Sequence, residues 1–383
     1  MNQNTSQNRC HYRFQDHTPL QYAEMACDTL MRKFAPEDLP PKAHFHYHQG
    51  VFLSGMERTY QLCGDEKYKN YIDAWVNSLV AEDGEIHGFD SDELDDVQPG
   101  ILLYRMYEET QDVRYEKAIK TLMDVVKHFP KNKEGGFWHK VKNKEQMWLD
   151  GLYMAGPFCA LYGKTFHDQE CFDSCVYQAL LMEKKTKDEK TGLLYHAWDS
   201  VKERPWADAV TGRSPEFWGR SIGWVPVAVL DELECMPEEQ EGYGELVRMV
   251  TQLLEAVERY QDSTGLWYQV VDKGDDPANW LETSCSCLFA AAICKAVRMG
   301  FLDESHLAAA VKAFEGVISR LEYRGEDVII GGICVGTGVG DFKHYCNRPT
   351  SENDLHGTGA FLLMCTEMEM VSDKIGDIGA AER

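Results

Sequence analysis

Apolar residues recur at helical spacing in about twelve segments of the chain, and the segments alternate between two kinds. Six are ordinary amphipathic helices, near 19 to 33, 66 to 81, 113 to 128, 168 to 183, 241 to 260 and 304 to 321, with Lys and Glu on a wet face. Six others begin near 48, 95, 148, 218, 280 and 353 and carry Gly, Ala, Cys, Trp and Met on all sides. A helix that is apolar all round must be buried, so each of these needs an amphipathic partner outside it. Six such pairs in alternation predict an all-α fold, an (α/α)6 barrel of six helical hairpins whose apolar members form the inner ring.

The connections differ in a way that locates a site. Links from inner to outer helix are short and turn-like, such as CGDEKY and TQDVRY. Links from outer to inner are long, and four carry a Gly followed by aromatic or β-branched residues: 135 to 141, 191 to 198, 264 to 271 and 331 to 336. These predict short β-ribbons on one rim. Chemically expressive residues gather where the long links enter the inner helices: His46, Tyr47 and His48; Asp95 and Asp96; Trp148 and Asp150; Trp218, Arg220 and Trp224; Trp280 and Glu282; Glu352, Asp354 and His356. Taken singly, an Asp there reads equally well as a helix cap and a Trp as core. Six such entries meeting at one mouth of a closed ring predict a single pocket.

Composition narrows the partners. The 383-residue chain has 63 acidic against 39 basic residues, a net charge of −24, which repels both nucleic acid and anionic membrane surfaces. The polar N-terminal segment lacks the apolar stretch of a secretory signal, so a cytoplasmic location is expected. With no linker in the pattern, residues 1 to 383 read as one domain, residues 1 to 17 being a loosely ordered arm. The thirteen cysteines, odd in number and set in apolar stretches, read as reduced core thiols. Cys285 and Cys287 form a C-x-C pair with no second cluster beside it, a weak zinc signal. The Gly-rich stretch from Gly331 to Gly340 lacks the Lys-Ser/Thr ending of a phosphate-binding loop and fits a loop covering the pocket.

The segments QMWLDGLYMAGPFCALYG at 146 to 163 and FWGRSIGWVPVAVLDEL at 217 to 233 resemble the unsaturated glucuronyl and rhamnogalacturonyl hydrolases, and within them glycoside hydrolase family 105, related to family 88. LDDVQPG at 94 to 100, YHAWD at 195 to 199, LETSCS at 281 to 286 and the stretch from 336 to 361 extend the resemblance over nearly the whole chain. It implies the (α/α)6 barrel and an unsaturated oligosaccharide substrate, a pectin (rhamnogalacturonan) lyase product ending in a 4,5-unsaturated uronic acid. An acid protonates C4 of the vinyl ether, positive charge develops at C5, water adds there, and the hemiketal opens to release the partner sugar. No metal or organic cofactor is implied.

By motif position the resemblance makes Asp150 the proton donor and Asp95 its partner carboxylate, although Asp96 is adjacent. It makes Tyr47, His48, His139, Lys140, His196, Trp218, Arg220 and Trp224 substrate contacts. Apolar neighbours of Asp150 (Met147, Trp148, Met154) and the like charge of Asp95 are expected to raise its pKa. Three other readings remain open on the residues alone: an unsaturated glucuronyl hydrolase acting on glycosaminoglycan-type fragments, a noncatalytic sugar-binding toroid, and an epimerase relying on His139 and His196.

Overall fold

The computed structural model describes residues 12–375. Its outer helices are α1 (Pro19–Lys33), α3 (Glu66–Leu79), α5 (Val113–His128), α7 (Gln169–Thr186), α9 (Tyr243–Glu258) and α11 (Leu307–Ile318). The inner ones are α2 (Tyr47–Cys63), α4 (Ile101–Thr110), α6 (Asp150–Phe166), α8 (Gly219–Cys235), α10 (Thr283–Arg298) and α13 (Leu355–Met370), with a short α12 (Phe342–Cys346) in a loop. Each inner helix packs on its successor, and α13 packs on α2, so the ring closes as the alternation requires. In α10 every residue from Thr283 to Val297 is buried, the signature of a helix wrapped on all sides.

Local chemistry explains the inner-to-outer turns. Each of three inner helices ends on a residue in the left-handed conformation, Gly64, Gln111 or His167, followed at once by an Asp. That Asp (65, 112 or 168) caps the next helix by accepting from the backbone N–H two residues on. The left-handed residue reverses the chain and the carboxylate satisfies an orphan donor, so a turn of two residues is enough.

Two boundaries differ from the sequence reading. The second inner segment, expected from 95, runs through two 3-10 turns, Leu94–Asp96 and Gln98–Gly100, before α4 begins at Ile101. Pro99 has no N–H to give to an α-helical ladder there. The last outer segment likewise opens with a 3-10 turn, Glu304–His306, before α11. The hairpin of β5 (Glu322–Arg324) and β6 (Asp327–Ile329), and α12, lie in links whose sequence carries no helical or ribbon period.

The ribbons do line one rim. Strand β1 (Gln146–Trp148) pairs with β2 (Ala197–Asp199), β3 (Trp267–Tyr268) with β4 (Leu281–Glu282), and β7 (Ile333–Cys334) with β8 (Thr350–Ser351), all antiparallel. The stretch from 135 to 141 makes only isolated bridges, Lys131 with Phe137 and Glu93 with Lys140. Of the N-terminal arm, residues 1–11 lie outside the described residues. Tyr12 donates its hydroxyl to Glu315 at 2.7 Å and packs edge-on against Phe314. Among the described residues no helix is long and apolar enough to cross a membrane.

At the end of the ring away from the ribbons, charged side chains from α2, α8, α10 and α13 interlock. Arg58 pairs with Asp231 at 2.8 Å and Glu367 at 3.3 Å, Lys295 with Asp231 and Glu234 at 2.5 Å, and Arg298 with Glu367 and Glu234 at 2.9 Å. Every buried charge in this set has a partner, as burial demands.

Where α13 meets α2, a Cβ on Gly359 would lie 2.6 Å from the backbone carbon and oxygen of Val51, whereas one on Gly244, in the first turn of α9, would touch nothing. Gly359→Ala is expected to destabilise the fold by about 1–3 kcal/mol. Gly244→Ala should be neutral or stabilising by up to ~1 kcal/mol. Thermal unfolding of the two variants checks both signs.

Candidate active site

The loops on the ribbon rim enclose a cleft of about 870 Å³ between the N-terminal ends of the inner helices. Its lining includes nine of the residues singled out from the sequence, Tyr47, His48, Asp95, His139, Lys140, Asp150, Trp218, Arg220 and Trp224. The tenth, His196, is wholly buried directly behind Asp150.

Asp150 is the first residue of α6, where the helix end favours a negative charge. Its Oδ2 lies 3.0 Å from Nε2 of His196, whose Nδ1 lies 2.7 Å from the hydroxyl of Tyr345 on α12. That hydroxyl also accepts the Gly340 N–H at 3.2 Å. A carboxylate only accepts, so Nε2–H donates to Asp150, and the Tyr345 hydroxyl can donate its hydrogen to Nδ1. Trp148 and Trp218 flank the imidazole, with centroids 5.4 and 4.6 Å away, and fix its plane.

The expected rise in the Asp150 pKa is corrected by these surroundings. Burial does push it up, but His196, His139 and Arg220 outweigh burial and hold the carboxyl below its ordinary value. The apolar neighbours read from the sequence are real, since Trp148 and Met154 line the cleft. The imidazoles and the guanidinium come from loops and helices distant in sequence, and they decide the sign.

Asp95, not Asp96, faces the cleft. Lys140 Nζ lies 2.6 Å from Asp95 Oδ2, and His139 Nε2 lies 3.5 Å from Oδ1. Burial opposes ionisation, but His139, Lys140 and His46 together bring the Asp95 pKa down to about 2. Asp96 is turned away, with Oδ1 2.5 Å from His46 Nδ1 and Oδ2 accepting the Asp90 N–H. Lys140 is itself held between Asp95 and Glu93, the latter at 2.7 Å. His139 stacks on Trp148 with centroids 4.4 Å apart, and burial lowers its pKa.

Arg220 is 2 % exposed. It donates to the carbonyls of Cys334 at 2.5 Å and Val335 at 2.9 Å, and its guanidinium lies over the Trp218 ring. It therefore holds the loop whose Gly336, Thr337 and Gly338 wall the cleft. Trp224 stacks on Tyr153 at 4.6 Å, both at most 2 % exposed. Tyr153 lines the cavity at the opposite end of the ring, so this stack is the partition between the two openings.

Besides Asp96, five residues placed at the rim by sequence do not line the cleft: Trp280, Glu282, Glu352, Asp354 and His356. Glu282 is fully buried and caps α10, accepting from Cys285 N and the Ser284 hydroxyl. Trp280 donates to Cys346 O, and Glu352 pairs with Arg324 on the outside. Cys285 and Cys287 are buried thiols of α10. Tyr345 was missed by sequence reasoning because its helix is five residues long and carries no periodicity; the Asp341 cap before it was the available signal.

Most of the described chain has known counterparts. The family model for Glycosyl Hydrolase Family 88 matches residues 22–372. A glycoside hydrolase of family 105 from C. acetobutylicum superposes with a TM-score of 0.87 at 34 % identity, over 91 % of this chain and 99 % of that one. The unsaturated rhamnogalacturonyl hydrolase YesR of Bacillus subtilis is 28 % identical over 282 residues, 71 % of this chain and 77 % of YesR. The unsaturated glucuronyl hydrolase of Bacillus sp. GL1 shares the fold, with a TM-score of 0.69 at 16 % identity over 93 % of this chain and 97 % of that one. The helical barrel and these likenesses make the chain a glycoside hydrolase belonging to the family 88 and 105 group.

Proposed function

We propose that the cleft receives the nonreducing-end 4,5-unsaturated uronic acid of a rhamnogalacturonan lyase product and hydrates its C4=C5 bond, with Asp150 protonating C4. The carrying observation is the Asp150 carboxyl at the cleft, positioned by the His196–Tyr345 chain beside a second carboxylate, Asp95. A vinyl ether needs one acid to protonate it and one base to direct water, and two carboxylates in unlike settings supply both. The likeness to YesR supports a pectin-derived substrate.

Asp150 is ionised in the empty cleft and must acquire a proton before it can donate one. A bound uronate brings a negative charge next to it and expels water, and both effects favour the neutral carboxyl. Proton uptake then accompanies substrate binding. Asp95, held by Lys140, stays charged and can orient the attacking water. Trp148, the most exposed of the three tryptophans at the cleft, offers an aromatic surface to the sugar, and the proposed site of action is the cytoplasm.

Asp150→Asn is expected to lower kcat about 10²–10⁴-fold with the fold intact, read as the loss of alkene absorbance on unsaturated rhamnogalacturonan disaccharide. Equal turnover by this variant would reject the assignment. Faster consumption of unsaturated chondroitin disaccharide by the wild type would instead favour the glycosaminoglycan reading.

The pH dependence follows from the sign of the shift. Because free Asp150 titrates below its ordinary value, kcat/KM should decline with rising pH from the acid side. The decline of kcat, which reports the complex, should come at higher pH. Coincident limbs would show that substrate does not raise the pKa.

Tyr345 acts through His196 and is a positioning residue. Tyr345→Phe removes the donor to Nδ1, so kcat should fall roughly tenfold, about the value of one net hydrogen bond, with KM little changed. The kcat limb should shift as well, which a purely structural role would not produce.

A further inference from the structure

We propose that His48, Asp354 and His356 form a binding site for a first-row divalent cation such as Zn²⁺, where the first and last inner helices meet beside the cleft. One donor atom from each residue lies within 4.8 Å of the other two. Two imidazoles and one carboxylate are a donor set that suits Zn²⁺ and its first-row neighbours.

The hydrogen bonds around His356 point the same way. Its ring is fully buried, and Nε2 lies 3.1 Å from the carbonyl oxygen of Cys334. A carbonyl only accepts, so Nε2 carries a hydrogen, and a ring with that one hydrogen presents a lone pair at Nδ1. Nδ1 nevertheless lies 2.7 Å from Asp354 Oδ1 without the alignment of a hydrogen bond and has no hydrogen-bond partner, and a cation between the two atoms would satisfy both. Bonds of about 2.1 Å meeting at the tetrahedral angle would set these atoms about 3.4 Å apart, so the two side chains would open by about 0.7 Å on binding. An N–H held by a backbone carbonyl on the far side of the ring is the usual support of a metal-bound imidazole.

Asp354 is the N-cap residue of α13, yet its side chain makes no capping hydrogen bond. The carboxylate forgoes the stabilising position that an Asp normally takes there and faces the two histidines instead. His48 Nε2 lies 3.9 Å from the same Oδ1, and His48 Nδ1 is buried with no hydrogen-bond partner. The other candidate group, His46, Glu93 and Asp96, is already engaged: Glu93 holds Lys140 and Lys142, and Asp96 accepts the Asp90 N–H. The site does not depend on which sugar the cleft takes. Its ion would tie α2 to α13 across the closure of the ring.

The test uses the full chain, stripped with a chelator and titrated with Zn²⁺ or Co²⁺ alone. One equivalent should bind with micromolar or tighter affinity and raise the Tm. Bound Co²⁺ should show nitrogen and oxygen ligation without the thiolate charge-transfer band that the cysteines would give. Asp354→Asn and His356→Gln should each weaken binding at least tenfold. Nitrogen NMR of the wild-type histidines provides a readout that does not depend on variants folding, since Nδ1 of His356 should take the chemical shift of a metal-bound nitrogen, with no proton attached, when Zn²⁺ is added. An Nδ1 that stays protonated at saturating Zn²⁺, affinity equal in wild type and variants, or thiolate ligation would each overturn the proposal and leave a plain imidazolium–carboxylate pair.

Discussion

Closure of the ring between α2 and α13 is the constraint on which the rest of the structure depends. These helices are separated by nearly the whole chain, and they touch through glycines. A Cβ on Gly55 would meet the Leu362 side chain at 2.6 Å, and one on Gly359 would meet the backbone of Val51. Close approach of this kind needs residues without side chains at the contact. Only when the two helices sit together do the loops before the inner helices face one another, and the cleft exists only in that arrangement.

Electrostatics in the cleft follow from convergence. Asp95 and Asp150 stand on segments that enter the barrel from neighbouring hairpins, and each is matched by cationic or hydrogen-bonding groups from other loops: Lys140 and His139 for one, His196 and Arg220 for the other. Burial alone would have kept both acids neutral. The matched partners keep both charged in the empty cleft, and in the proposed reaction only Asp150 takes up a proton when an anionic, desolvating substrate arrives.

Much of this was legible in the sequence, and the limits have physical causes. Helices α1 and α5 fall at the residues that periodicity gave, because a long amphipathic stripe is a strong signal and Asp caps mark the starts of several outer helices. Asp95, Asp150, Trp218 and Trp224 were found at the rim because they sit at the entries of inner helices. Partners were not legible. Tyr345 supports His196 from 149 residues away, and Arg220 serves two carbonyls at β7 and just beyond it, pairings that no local pattern encodes. The direction of the Asp150 shift was misjudged for the same reason, since apolar neighbours were visible and distant cations were not.

The stacked pair Tyr153 and Trp224, backed by interlocked arginine, lysine and carboxylate side chains, gives the barrel a floor. A tube open at both ends could thread a polymer and cut it anywhere along its length. A cup can admit only a terminus, and whatever is cut off at the bottom must leave past the remainder of the chain. In the proposed reaction such an enzyme would work one unit at a time, and the longer fragment would have to withdraw before the released end sugar could escape through the same mouth.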